Sequence, residues 1–441
     1  MKRLLSLLLC AVLALFCATT AQAAGVSITL TASEYALHYA FDAGAQDPFV
    51  ILEYTTPAEK GWMMLYSEDG HFEGDVSLAY SGAGGKTSVA LTSARTTGSI
   101  GKASTTLPKA ADYQKPTGKS NAKVTDFVLT ETPEGFHYAF NAAGTDYMLL
   151  YWRSKEQTVT QPVYPDENGH YEGDVISDLT FARTQFTVQV KSGSGSMKKE
   201  ATVRKGYQAP EAPQRQEGRL SGVTVCIDAG HQENGRFVNE PIGPGLSGST
   251  SGKGGMAQGT KTNRRESIVC LEIGMLLRDE LLRQGANVIM TREDQTTFHT
   301  NIERCEIAEA GGAQIMLRLH CNNSSNRSKR GIQVYGPLNS DYAKAVADAD
   351  TYREMGQELL DAMKTRVGMT LANSTGMVRL NDNYVGNNWA KMMCFLVEMG
   401  YLSNPAEEYL LVTPVYQQWL AEGMADGVYE IAVARGWVQA Q

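Results

Sequence analysis

From Leu220 onward, short apolar runs alternate with long amphipathic stripes. Val223-Thr-Val-Cys-Ile227 reads as a buried strand that ends in Asp228-Ala-Gly-His231, breaking at Gly230. Val269, Ile273, Leu276, Leu277 and Leu281 trace one face of a helix that starts near Arg265 and ends before Gly285. Asn287 to Thr291 predicts the next strand, Ile302 to Ala310 a helix, and Gln314-Ile-Met-Leu-Arg-Leu-His320 a second buried strand. Tyr352, Met355, Leu359, Leu360 and Met363 mark another helix, Met393 to Val397 a further strand, and Leu420, Met424, Val428 and Ile431 the last helix. Such alternation specifies an α/β fold with a mostly parallel sheet flanked by helices. Ligands gather beyond the carboxyl ends of such strands, where His231, His320 and Glu398 fall.

Residues 25–206 have a different rhythm, and they repeat. His38-Tyr-Ala-Phe41 returns as His137-Tyr-Ala-Phe140, and Gly70-His-Phe-Glu-Gly-Asp-Val76 as Gly169-His-Tyr-Glu-Gly-Asp-Val175, each offset by 99 residues. Alternating runs such as Gln185-Phe-Thr-Val-Gln-Val190, divided by turns at Asp69-Gly70 and Asn168-Gly169, predict two small all-β sandwich-like repeats, 24–108 and 122–206. His71 and His170 read as solvated turn residues. The repeated Tyr and Phe positions read as core, although exposed ones could stack on sugar faces. Residues 207–219, polar and holding two prolines, read as a linker ahead of a domain at 220–441.

The chain begins with Lys2-Arg3, an apolar run from Leu4 to Phe16 and a small-x-small site at Ala21-Gln-Ala23, the pattern of a signal peptide over 1–23. It is short for a membrane span. The expectation is a secreted protein, extracellular or associated with the cell wall, with no membrane insertion after cleavage. Cys17 raises a lipoprotein alternative, which Leu15-Phe16 before it fits poorly. Apolar content of 42% and charged content of 20% are those of a globular chain. A net charge of -8 argues against a nucleic-acid partner. Cys226, Cys270, Cys305, Cys321 and Cys394 would remain after cleavage, an odd set without a Cys-x-x-Cys pair. They read as small buried hydrophobes, with Cys321 beside His320 the one alternative nucleophile.

Residues 220–441 hold only three histidines, His231, His299 and His320. His299 follows no strand and reads as a surface residue. The other two can meet across one site, with Glu266 and Glu398 as candidate carboxylates and Glu272 a rival on the same helix. Two nitrogens, one oxygen and an open fourth position form the ligand set of a catalytic zinc. A further carboxylate could serve as the base that hydrolysis needs.

Asp228-Ala-Gly-His231, Thr291-Arg292, Leu319-His-Cys-Asn322 and Val397-Glu-Met-Gly-Tyr-Leu-Ser-Asn404 resemble the zinc-dependent N-acetylmuramoyl-L-alanine amidases over about residues 220–435. The resemblance implies a peptidoglycan hydrolase that cuts between muramic acid and the first alanine of the stem peptide. It implies one Zn2+ held by His231, Glu266 and His320, with Glu398 as the catalytic residue. Asn322 is expected to contact substrate or to brace its loop, Asp228 to orient the His231 loop, and Arg292 to join a buried ion pair. A zinc peptidase acting within the stem peptide, or a non-catalytic wall-binding protein, are the competing expectations. The loop between His231 and Glu266, with its glycine-rich 243–255 stretch, is longer than in shorter family members and is expected to form a flexible lid. The resemblance does not reach 25–206, whose repeats are expected to hold the enzyme on the wall.

Overall fold

A computed structural model describes residues 18–22, 25–78, 80–96, 98–111, 113, 123–132, 135–145, 147–154, 158–176, 184–205, 210–232, 238–250, 255–262, 264–368 and 378–440. Most of the expected signal peptide, including Ala23, lies outside these residues. The chain divides into two compact units, Met1–Leu179 with Thr184–Lys205, and Thr180–Arg183 with Gly206–Gln441. Among the described residues, no helix is long and apolar enough to cross a membrane.

The first unit is all β. β1 (Ala18–Gln22) falls within the expected signal peptide, and the first repeat carries β2 (Ser27–Ser33), β3 (Ala36–Asp42), β4 (Phe49–Thr55), β5 (Glu59–Tyr66), β6 (His71–Ser77), β7 (Gly85–Ser93) and β8 (Ser99–Leu107). The second carries β9 (Val124–Thr132), β10 (Gly135–Ala142), β11 (Met148–Arg153), β12 (Thr158–Val163), β13 (His170–Ile176), β14 (Thr184–Lys191) and β15 (Met197–Lys205). Small sheets β1-β2-β3-β6 and β13-β10-β9 accompany one eight-stranded sheet, β15-β14-β11-β12-β5-β4-β7-β8. The repeats are therefore not separate sandwiches. They share a sheet because Thr158 and Val159 at one edge pair with Lys60 and Glu59 at the other, which covers two open strand edges.

Each repeat still keeps its own core. Leu30, Phe41, Leu52 and Phe72 belong to the first, and Phe136, Phe140, Trp152 and Phe186 to the second. The echoed Glu-Gly-Asp has a packing cause: a Cβ on Gly74 or Gly173 would lie 2.7 Å from the Tyr39 or Tyr138 hydroxyl. His71 and His170 open strands rather than sit in turns, contrary to expectation. His71 lies 2.6 Å from Asp42, and His38 bridges Asp75 (3.1 Å) and Glu73 (3.3 Å). His137, Asp174 and Glu172 repeat that bridge.

The second unit contains β16 (Thr224–Ala229), α1 (Glu266–Arg283), β17 (Asn287–Met290), α2 (Asn301–Ala310), β18 (Ile315–Asn322), β19 (Gln333–Gly336), α3 (Asp341–Val346), α4 (Ala349–Val367), β20 (Val378–Leu380), α5 (Val385–Trp389), β21 (Met393–Tyr401), α6 (Pro405–Leu411) and α7 (Pro414–Ala434). Its sheet runs β17-β16-β18-β21-β19-β20. Strands β17, β16, β18 and β21 are parallel neighbours, but β19 runs antiparallel to β21 and parallel to β20. The sheet is thus mixed rather than simply parallel. Residues 323–332 contain no crossover helix, so the chain reverses after β18 and β19 enters in the opposite sense.

The described part of the expected linker is fastened rather than free. The Gln216 N–H donates to the Leu282 carbonyl (3.0 Å) and Arg215 Nη1 to that of Gly285 (2.9 Å). These carbonyls lie at the C-terminal end of α1, where intrahelical donors run out.

Candidate metal centre

Three elements deliver three donors to one point. The loop after β16 brings His231, the first residue of α1 is Glu266, and the end of β18 carries His320. Glu266 faces both imidazoles, with Oε2 3.1 Å from His231 Nε2 and Oε1 3.0 Å from His320 Nδ1. The two rings stand T-shaped with centroids 4.9 Å apart. One ligand atom from each residue lies within 4.8 Å of the others. Side-chain rotation alone can bring such donors onto one ion with bonds of ~2.0–2.2 Å. Glu272, the rival carboxylate, instead pairs with Arg264 (3.6 Å) and accepts from Gln417 (3.1 Å).

Local structure explains the placement of Glu266. An anionic side chain is stabilised in the first turn of a helix, and its carboxylate also accepts the N–H groups of Ala257 (2.8 Å) and Cys321 (3.0 Å). Burial opposes its charge, but hydrogen bonds from His231 and His320 hold its pKa well below the carboxylate range. Burial pushes the His320 pKa down, favouring the neutral imidazole that a metal requires.

Glu398 faces the same place from the neighbouring strand, opposite His320 in the β18–β21 register. Its Oε2 is buried and, among the described residues, has no hydrogen-bond partner. Burial and the Glu266 charge push its pKa up to about 8. The donors and Glu398 line a cavity of about 790 Å3, bordered by Phe298 and Tyr384.

Beneath the site, Asp228 is fully buried between two arginines. It accepts from Arg318 Nε (2.9 Å), from Thr291 Oγ1 (2.8 Å) and from Arg304 Nη1. Burial would raise its pKa, yet the two guanidinium groups hold it far below the usual carboxylate range. It therefore acts on the His231 loop through Arg304, which in turn donates to the His231 carbonyl (3.2 Å). Arg292, expected in an ion pair, has none among the described residues. It donates instead to four backbone carbonyls, those of Ala229, Gly230, Ser267 and Asp294. The strand after which Arg292 lies runs beside β16, so its guanidinium meets the turning backbone at Ala229 and Gly230.

His231 adopts φ +57°, a left-handed conformation that costs a non-glycine residue on the order of 1–3 kcal/mol.

The remaining expectations divide. Asn322 borders the cavity, but its amide donates to Gln333 Oε1 (3.2 Å) and its oxygen accepts the Asn323 N–H (2.8 Å). His299, expected at the surface, is half-buried and lines the cavity, because its carbonyl is tied to Arg304 Nε (3.2 Å). Cys321 is buried, and burial pushes its thiol pKa well up, which does not suit a nucleophile. The loop expected to be a flexible lid is moored over its described residues 238–250. Trp389 Nε1 donates to the Pro241 carbonyl (2.9 Å), Asn388 to that of Ile242 (3.1 Å), and the Asp341 N–H to that of Pro244 (3.0 Å). Residues 251–254 lie outside the described set. Sequence reasoning missed Glu240, Arg304 and Arg318. A charged Arg318 inside the apolar run 314–320 was the available signal for the last.

Residues 225–430 match the family model described as N-acetylmuramoyl-L-alanine amidase. The germination-specific N-acetylmuramoyl-L-alanine amidase of Bacillus subtilis is 26% identical over 231 residues, covering 49% of this chain and 83% of that protein. The probable cell wall amidase LytH of Staphylococcus aureus is 27% identical over 218 residues, covering 48% of this chain and 60% of LytH. Among solved structures, the amidase Ami1 of Mycobacterium smegmatis aligns with 17% identity and a TM-score of 0.43, over 49% of this chain and all of that one. Residues 225–430 of this chain belong to the N-acetylmuramoyl-L-alanine amidase family.

Proposed function

We propose that the chain is an exported peptidoglycan hydrolase that uses Zn2+ to cleave the amide between N-acetylmuramic acid and the L-alanine of the stem peptide. One arrangement carries this reading: His231, Glu266 and His320 converge on a single point while Glu398, whose Oε2 has no hydrogen-bond partner among the described residues, lines the same cavity. The donor set, two imidazoles and a carboxylate, fits Zn2+ and leaves room for a fourth ligand. Zinc so held supplies Lewis-acid polarisation of the scissile carbonyl and acidifies water.

The chain's own groups do the rest. Glu398 takes a proton from the attacking water and returns it to the departing alanine nitrogen. Its Oε2, without a hydrogen-bond partner among the described residues, is free for both transfers. Glu266 holds its charge and fixes the orientation of both imidazoles. Asn322 keeps the loop beyond His320 in place and borders the substrate. The repeats at 25–206 position the enzyme on the wall. The site's own residues supply no observation that favours cleavage within the stem peptide.

The test is digestion of purified peptidoglycan followed by mass spectrometry, with metal analysis of the same preparation. One Zn2+ per chain and a freed L-alanine amino group are expected, with Glu398→Gln inactive but still metal-loaded. Cleavage inside the peptide, or equal digestion by the variant, would overturn the assignment.

A further inference from the structure

The metal centre draws its donors from elements far apart in sequence, so something must fix their separation. Arg292 is placed to do so. It is 2% exposed, and its Nη2 donates to two carbonyls at once: that of Gly230 (2.8 Å), next to His231, and that of Ser267 (2.7 Å), next to Glu266. Nε adds the Ala229 carbonyl (2.8 Å), so consecutive residues leading into His231 are gripped by one rigid group. Gln295 Nε2 backs the same Ser267 carbonyl (2.9 Å).

We propose that Arg292 is a positioning residue of the metal centre, setting the spacing between His231 and Glu266 by cross-linking the backbone beside each of them. The inference rests on the metal reading above. The planar fork is what makes the cross-link possible: a lysine brings one ammonium and cannot span these carbonyls in fixed geometry. The grip also accounts for the left-handed backbone of His231, since Arg304 takes the next carbonyl in line and the turn cannot relax.

The test uses the full chain freed of metal. Zn2+ affinity is measured by competition with a chromophoric chelator, geometry by the visible absorption of the Co2+-loaded protein, and folding by thermal unfolding without metal. Arg292→Lys is expected to weaken Zn2+ binding about 10- to 100-fold and to alter the Co2+ spectrum. A role in the fold alone would lower the metal-free melting temperature and leave affinity and spectrum at wild-type values, which overturns the proposal. Should Arg292→Lys not fold, Gln295→Leu removes the second donor to Ser267 and is expected to shift the spectrum in the same direction; an unchanged spectrum there overturns it equally. A wild-type chain that takes up no ion would remove the metal reading itself, whereas intact wild-type binding with indifferent variants removes only the role of Arg292.

Discussion

Gly230 lies directly under the ring of His320. A Cβ on Gly230 would come within 2.6 Å of His320 Cε1, 2.8 Å of its Nδ1 and 2.4 Å of the Leu319 carbonyl oxygen. The clash with the Leu319 oxygen pushes the backbone at residue 230 away from β18, and the clash with the ring displaces the imidazole as well. Gly230→Ala should therefore displace one ligand and cost about 1–3 kcal/mol of stability through overpacking. Chelator competition should show Zn2+ binding at least about tenfold weaker, the scale of a disturbed ligand environment. Wild-type affinity in this variant would mean that the strand, not the ring, gives way.

Asp228 sits between Arg304 and Arg318, and its charge is the anion they share. Asp228→Asn would leave two buried cations facing each other, a loss of about 3–5 kcal/mol. The folded pKa is depressed, so the stabilisation is present in full above the ordinary value of 3.8 and is lost step by step as pH falls from there toward the much lower folded value. Urea unfolding at neutral pH and near pH 3 should show the wild type losing about 1 kcal/mol of this contribution, at roughly 1.4 kcal/mol for each pH step of one below 3.8, and the variant lacking it at both. Equal acid sensitivity in the two proteins would assign the acid transition to other carboxylates.

Glu407 and Glu408 have the opposite sign. Glu407 accepts the N–H groups of Tyr401 and Gly331 (both 2.8 Å), and Glu408 those of Thr260, Lys261 and Thr262. Burial outweighs these bonds and raises each pKa from 4.5 to about 7. A raised folded pKa gives stability that is complete below the ordinary value and lost as pH climbs through the folded one. The loss runs at roughly 1.4 kcal/mol for every pH step of one between the two. Unfolding midpoints measured across the neutral range should decline for the wild type and decline less for Glu407→Gln. A flat wild-type profile would show that the amide donors win over burial.

The catalytic unit was legible because its chemistry lies at strand ends. A run of apolar residues broken by glycine announces where a strand stops, so His231, His320 and Glu398 could be located without any structure. The α/β texture followed from the spacing of Val269, Ile273 and Leu277. What pattern cannot carry is direction of pairing: Gln333–Gly336 reads the same whether β19 runs parallel or antiparallel to β21. Nor does it show sharing of an edge, so the join of Thr158 to Lys60 was hidden behind two self-contained repeats. Arg292 was misjudged because carbonyl acceptors have no sequence signature, whereas carboxylates do. The mooring of the described part of the loop has no sequence signature either. Glycine richness records conformational freedom in the unfolded chain, and Trp389 and Asn388, which hold the loop, lie more than a hundred residues away.

The mooring of that loop yields the last expectation. Glu240 is 5% exposed and sits at the start of α2, accepting the N–H groups of Asn301 (3.2 Å) and Ile302 (2.8 Å) and the Asn301 side-chain amide (2.6 Å). Thr300 takes the next N–H, that of Glu303 (3.2 Å), so the first turn is satisfied jointly by its own cap and by the loop. A carboxylate so placed is worth about 0.3–1 kcal/mol at an exposed helix terminus and up to about 2 kcal/mol when partly buried. Glu240→Ala should release both partners together, and amide hydrogen exchange should quicken at Asn301, Ile302 and Thr250, whose N–H is bonded to the Glu240 carbonyl (2.9 Å). Zn2+ affinity should hold, since Glu240 bonds none of the three ligands. Faster exchange at the helix start with no change along 240–250 would mean that Trp389 and Asn388 hold the cavity wall unaided, and that Glu240 serves α2 alone.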